Sequence, residues 1–343
     1  MEKQPHILII GAGLIGLSTA DSLLARGARV TIVEKRSGPA KGASFCNSGM
    51  IHPSQARPWQ EGSDPRAAEK VAALAARSRD LLKARMIELG LSCAARPPGT
   101  VQIFDSIATG LAAEDSYQAL GAACENITGA PFTFARFALR FPGDASGNAY
   151  EYCAALARSI EKRGAAPLYN VQPDSIVDLA GSADHVVIAA GAQSAGLARF
   201  FGIDLPIFPV TGHALNFTRP DLALPDVPLM HHATHSALTV FDDHVRLSGT
   251  VDEGRPEALL EVWKDIAPKL IAALGAPLSS WSGERPMCSY GRPIIARSGK
   301  ENIWINAGHA HMGWTLSAGS GALMAELILS GQSASEFCLL GEA

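Results

Sequence analysis

The chain opens on a short apolar run, His6 to Ile10, followed at once by glycine. A run of that length bounded by a turn signal predicts a buried strand. Leu14 to Arg26 comes next, with Leu17, Ala20 and Leu24 on one face at helical spacing, and Gly27 ends it as a glycine past the last turn commonly does. Arg29 to Val33 is a second apolar strand closed by Glu34, so the opening reads as a complete βαβ unit. The same patterning predicts one long helix over 65–90, with Val71, Leu74, Leu81 and Leu82 as its apolar stripe. Helices are also predicted from Ala149 to Arg163, Glu257 to Leu274 and Gly313 to Leu329.

Strands are predicted at Val186 to Gly191 and Asn302 to Ala307, with several short ones between 205 and 250. Residues 96–142 are mixed, and 37–49 is a loop rich in Gly, Ser and Ala. Nucleotide-domain elements at the start, middle and end predict an α/β fold. It has a discontinuous Rossmann-like domain (1–56, 143–204 and 285–343) and a smaller α+β substrate domain on an antiparallel sheet (57–142 and 205–284).

Composition narrows the class. With 343 residues the chain is long enough for two lobes, and 47% hydrophobic and 18% charged residues suit a soluble globular protein. A formal net charge of -4 argues against a nucleic-acid binder. No run of about 20 apolar residues predicts a membrane span, and the short polar start does not resemble a signal peptide. The six cysteines (46, 93, 124, 153, 288 and 338) show no CxxC pairing and no zinc-ligand spacing, so no metal is expected. Scattered thiols suggest a reducing, cytoplasmic setting, at most peripheral to the inner face of a membrane.

The first candidate chemistry is Gly11-Ala-Gly13-Leu14-Ile15-Gly16. Gly11 permits a tight turn after the strand, Gly13 lets the backbone approach a pyrophosphate, and Gly16 lets the helix pack closely on the strand. The helix N-terminus then offers free N–H groups and a positive dipole end to phosphate. Glu34, 18 residues after Gly16, stands where a carboxylate takes the hydroxyls of an adenosine ribose, with Lys35 beside it. An acid there disfavours the 2′-phosphate of NADP. FAD and NAD both stay open on this motif.

A resemblance separates them. Residues 42–53 (GASFCNSGMIHP) are similar to the flavin-facing loop of the D-amino acid oxidase/dehydrogenase superfamily, and nearest in form to the small subunit of bacterial D-amino acid dehydrogenase. Ser48-Gly49-Met50 also resembles glycine oxidase. Further matches follow in order: 99–104 (GTVQIF), 139–144 (LRFPGD) with Gly147, 187–194 (VIAAGAQS), Arg285-Pro-Met with 291–294 (GRPI), and 306–315 (NAGHAHMGWT) with Gly319-Ser-Gly321.

The resemblance implies FAD, bound non-covalently. It implies flavin contacts from Ser44, Asn47, Ser48, Gly49 and Met50, from Ala190 and Gly191, and from the turn Gly308, His311, Met312, Gly313, Trp314 and Thr315. Val171 would contact adenine. Arg285 matches the arginine that grips a substrate carboxylate, a task its planar fork suits; the plainer reading is a surface ion pair. Where relatives place a tyrosine this chain offers His231, His232, His235 and Ser236, and His235 is the candidate substrate contact. Cys288 resembles a position of covalent flavin attachment, against the plainer reading of a buried small hydrophobe.

The implied reaction is oxidative deamination of a small amino acid: hydride passes from Cα to flavin N5, and the imino acid hydrolyses to a 2-oxo acid and ammonia. A quinone, a partner subunit or oxygen could take the electrons. Glycine or sarcosine-type oxidation with peroxide formation is the second reading. A subunit of a hetero-oligomeric dehydrogenase is the third, motivated by shortening around 105–140 and 170–184. The oligomeric state stays open.

Overall fold

The computed structural model describes residues 4–57, 65–129, 132–250 and 254–331, together with Phe337; Cys338 lies outside them. In chain order β1 (His6–Ile10), α1 (Leu14–Leu24), β2 (Arg29–Glu34) and β3 (Met50–Ile51) lead to the long helix α2 (Pro65–Glu88). The mixed stretch becomes β4 (Thr100–Phe104), α3 (Ile107–Ala119), β5 (Glu125–Asn126) and β6 (Phe137–Phe141). Next come β7 (Ala145–Ser146), α4 (Ala149–Lys162), β8 (Ala166–Tyr169), α5 (Asp174–Gly181), β9 (His185–Ile188) and α6 (Ser194–Arg199). They are followed by β10 (Ile207–Thr218), β11 (Leu229–His231), β12 (Ser236–Val240), β13 (His244–Gly249), α7 (Ala258–Ile266) and α8 (Pro268–Leu274). The chain then runs through β14 (Ser279–Cys288), β15 (Ile294–Arg297), β16 (Ile303–Ala307) and α9 (Gly313–Ser330).

Six strands form one sheet in the order β15-β16-β9-β1-β2-β8. All its pairings are parallel except β15–β16. Ile7 to Ile10 are buried because helices cover both faces, which is why β1 reads as a continuous apolar run. These strands come from three separate stretches of chain, as expected for a discontinuous Rossmann-like fold. α9 packs on α1 and α2, and α2 belongs to the same core.

Eight strands form the second sheet, in the order β14-β10-β13-β12-β11-β4-β6-β5, antiparallel except for β11–β4. Strand alternation sorts its two faces. Val101, Ile103, Leu215, Phe217, Leu238 and Leu247 join Leu259 and Trp263 of α7 in one apolar core. Their neighbours Gln102, Gly212, Ala237 and Ser248 face a large cavity instead. β14 runs on through Arg285 to Cys288, so this sheet carries the candidate arginine.

One prediction changes. The single helix over 257–274 is two helices, because Pro268 forces Ala267 out of the helical region (φ -139, ψ 65) and opens α8 at its first position. The shortened stretch Asn170–Asp184 holds the helix α5. No helix among the described residues is long and apolar enough to cross a membrane, and none of their His, Cys, Asp and Glu cluster to hold a metal.

Candidate active site

The glycine turn after β1 has the geometry its sequence implies. Gly11 has φ +112, and a Cβ there would lie 2.5 Å from the Ala189 carbonyl oxygen. A Cβ on Gly16 would collide with the Gly11 carbonyl, which explains the close seat of α1 on β1. Gly13 caps α1 with extended backbone and no side chain (φ -85, ψ -174). The Leu14 N–H donates to Ser44 Oγ (3.1 Å), tying the flavin-type loop to the cradle. Glu34 is aimed by backbone: its carboxylate accepts from the Ala12 N–H (3.0 Å) and the Arg36 N–H (2.9 Å).

These residues open onto a cavity of about 1920 Å³. An ordinary small-molecule pocket is roughly 300–1,000 Å³, so there is room for a dinucleotide and a second ligand. Gly11, Gly13, Leu14, Ile15, Glu34 and Lys35 line one end. Ser44, Asn47, Ser48 and Met50 line it from the loop, and Val171, Ala190 and Gly191 from the β8 and β9 ends. His311, Gly313 and Trp314 line it at the start of α9, and Arg285 and His235 from the second sheet.

The remaining predicted residues support this wall from behind. Gly49 (φ +75) sits where β3 pairs with β7, and a Cβ there would stand 2.8 Å from the Gly147 carbonyl oxygen. Gly308 (φ +78) clears Cys288. Met312 is buried, and Thr315 Oγ1 accepts from the His52 N–H (3.1 Å). Cys288 packs in the apolar core outside the cavity lining, and burial raises its thiol pKa.

FAD fits this wall. Besides the cradle that a Cβ would fill, buried polar atoms of lining residues have no hydrogen-bond partner among the described residues: both ring nitrogens of His309, Nδ1 of His52 and Nε1 of Trp314. Buried polar atoms ordinarily find one. Burial also holds His52 near a pKa of about 4 and His309 near about 3, so both rings are neutral at pH 7. His311 has open surface on the cavity, and its pKa is lowered first by desolvation and then by nearby groups that include the Arg285 and Arg57 guanidiniums.

Arg285 lies flat over Gly212, where a Cβ would stand 2.8 Å from its guanidinium carbon. Its Nη1 donates to Thr250 Oγ1. Burial lowers its pKa, and among the described residues no carboxylate pairs with it. The four candidates in the tyrosine's stead divide. His232 and His235 line the cavity, His235 at φ +48. His231 is buried on the other face between Asp105 Oδ1 and Thr234 Oγ1 (both 2.9 Å), and Ser236 accepts from Trp263 (3.0 Å). These two brace the turn that presents the other two.

Sequence reading missed Tyr117 and Arg57. Tyr117 is a buried cavity-lining tyrosine on α3, with the Arg57 guanidinium 5.4 Å above its ring. It lies in the stretch whose mixed pattern hid the helix. His52 was visible inside the loop motif, yet only its burial marks it as part of the wall.

Known structures share this architecture. Glycine oxidase from Geobacillus kaustophilus is 24% identical with a TM-score of 0.82, over 99% of this chain and 100% of that one. Iminodiacetate oxidase from Chelativorans sp. BNC1 is 21% identical with a TM-score of 0.77, over 96% of both chains. L-proline dehydrogenase from P. horikoshii is 20% identical with a TM-score of 0.78, over 98% of this chain and 96% of that one. The family model DAO, described as FAD dependent oxidoreductase, matches residues 6–327. The collinear motifs, the glycine cradle and that match lead to one conclusion: the chain belongs to the DAO family of FAD-dependent oxidoreductases.

Proposed function

We propose that this enzyme oxidises a small amine carrying a carboxylate, an amino acid in the first instance. The observation that carries the reading is Arg285, a guanidinium on the cavity wall with no described acidic partner. Such a cation attracts a carboxylate and holds it bidentately. Thr250 fixes one edge of the fork, and Gly212 leaves room for it to lie against the sheet.

The chain's own residues supply binding and orientation. Gly11, Gly13, Leu14 and Ile15 would hold the pyrophosphate of FAD, Glu34 its ribose and Val171 its adenine. The turn from Gly308 to Thr315, the loop from Ser44 to Met50, and Ala190 and Gly191 would hold its flavin. The α9 N-terminus favours negative charge in that part of the cavity. FAD, when bound, would supply the acceptor for the hydride of the Cα–H bond. Arg285 fixes the substrate by its carboxylate, and His235 contacts it from the β11–β12 turn. Little acid–base chemistry is asked of side chains, since positioning carries most of the acceleration.

Transfer to an acceptor other than oxygen, as in a D-amino acid dehydrogenase, is the first reading. The likeness to glycine oxidase and iminodiacetate oxidase supports the second, oxidation of glycine or a secondary amine with release of peroxide.

The test is anaerobic bleaching of the visible spectrum by a panel of amino acids and N-alkyl glycines. Arg285→Leu should keep the FAD absorbance and lower kcat/KM by about 100-fold or more, because it removes a charge-assisted pair. Retained activity in that variant would remove the role. Peroxide formation in air separates the two readings.

A further inference from the structure

Arg285 is not the only guanidinium in the cavity. Arg57, just past the short turn Pro53–Gln55, also lines it. It comes from the opposite part of the chain and rests on a different wall, over the Tyr117 ring of α3. His52, five residues earlier, hydrogen-bonds to Thr315 in the first turn of α9, so Arg57 follows a segment anchored at the α9 end rather than at the glycine cradle.

Among the described residues no carboxylate pairs with Arg57. The acidic side chains among the described lining residues are occupied elsewhere. Glu34 is held by backbone N–H groups, Glu284 by Gln193 (3.2 Å), and Glu261 faces Arg255 (3.9 Å). Both guanidiniums border the turn that carries His311: β14, with Arg285, packs against Ala310–Met312, and the His52 ring, in the segment that leads to Arg57, stacks on His311 with centroids 6.4 Å apart. Two guanidiniums near the His311 turn, neither paired with a carboxylate among the described residues, suit two anionic groups. One carboxylate would leave the second cation facing a neutral end of the ligand.

We infer that the substrate is a dicarboxylate amine, an acidic amino acid or an imino-diacid, with one carboxylate on Arg285 and the second on Arg57. This rests on the amine reading above and specifies its substrate class. Tyr117 fixes Arg57 by cation–π contact and leaves the N–H edge of the guanidinium for the ligand.

Two measurements on the FAD-loaded enzyme test it. The first is binding of succinate against acetate, read from the shift of the flavin absorbance, which needs no turnover. Succinate should bind roughly 10-fold or more tightly than acetate, and Arg57→Gln should erase the difference. The second is the ratio of kcat/KM for aspartate, glutamate or iminodiacetate (both enantiomers where they exist) to that for glycine or alanine. Arg57→Gln should collapse this ratio by roughly 10- to 100-fold, and Arg57→Lys should restore part of it. Melting temperature and FAD content establish that each variant is folded. Equal affinity for succinate and acetate, or an unchanged ratio in Arg57→Gln, overturns the inference. Tight succinate binding without turnover of any amine would instead sink the amine reading and leave the two-carboxylate site standing.

Discussion

Gly11 shows how far one residue constrains the site. Its φ of +112 is closed to side-chain-bearing residues, and a Cβ would meet backbone rather than a movable side chain. Gly11→Ala should therefore lower FAD affinity by about 10-fold or more while the strands persist, since strain of roughly 1–3 kcal/mol falls on the cradle. Equilibrium dialysis with FAD checks this, and unchanged affinity would contradict the cradle. The buried histidines make a pH prediction. His52 (about 4) and His309 (about 3) have folded pKa values below the ordinary 6.5, so between these values the unfolded chain binds protons that the folded chain refuses. Their contribution is fully present above pH 6.5 and is lost on acidification, by up to about 1.4 kcal/mol per pH unit for each ring. Asp144, raised to about 6 by burial, takes up its proton earlier when folded and opposes part of that loss. Melting temperature should fall from pH 7 to pH 5, and His309→Leu should flatten the slope; equal melting at both pH values would argue against neutral burial.

Among the elements, α9 binds the nucleotide-side layer together. Gly319 faces α2, with Leu74 O 2.8 Å from a Cβ placed on it, and Gly321 faces α1, with Ser18 O at 2.6 Å. Glycine inside a helix usually costs about 1 kcal/mol relative to alanine. Here the close approach of two neighbouring backbones outweighs that cost. Gly321→Ala should destabilise by about 1–3 kcal/mol, seen as a lower denaturant midpoint, whereas a gain in stability would show that the contact can relax. The Gly-Ser-Gly pattern was legible as a motif, but its reason was not. Two glycines two residues apart, on opposite sides of the helix, face different partners, and only the packed layer shows which. The split of α7 from α8 is the reverse case. Pro268 was in plain view, yet amphipathic spacing on both sides of it suggested one helix.

At the scale of the whole molecule, the cavity draws its walls from both sheets, so a ligand that fills it couples them. Free FAD at about 100 times its Kd should stabilise the protein by about 2.7 kcal/mol. Stripping FAD should lower the melting temperature, and titrating it back should restore it. Melting that ignores FAD would contradict its assignment to this cavity.

The sequence alone determined the βαβ opening, the glycine turn, Glu34, and the likeness that led to FAD and Arg285. These are local in character: a strand, a turn and a helix start carry their own residue preferences within about 30 positions. The tertiary structure decided the rest. Alternation in the second sheet chose which residues face the cavity, since a shift by one position exchanges the two faces. Packing buried His52 and His309, turned His231 away from the cavity and His235 toward it, and brought Arg57 and Tyr117 to the wall of the cavity that Arg285 also lines. Arg57 and Arg285 are separated by more than two hundred residues. No local preference relates two such positions, so the pairing of charges in the cavity belongs to the fold.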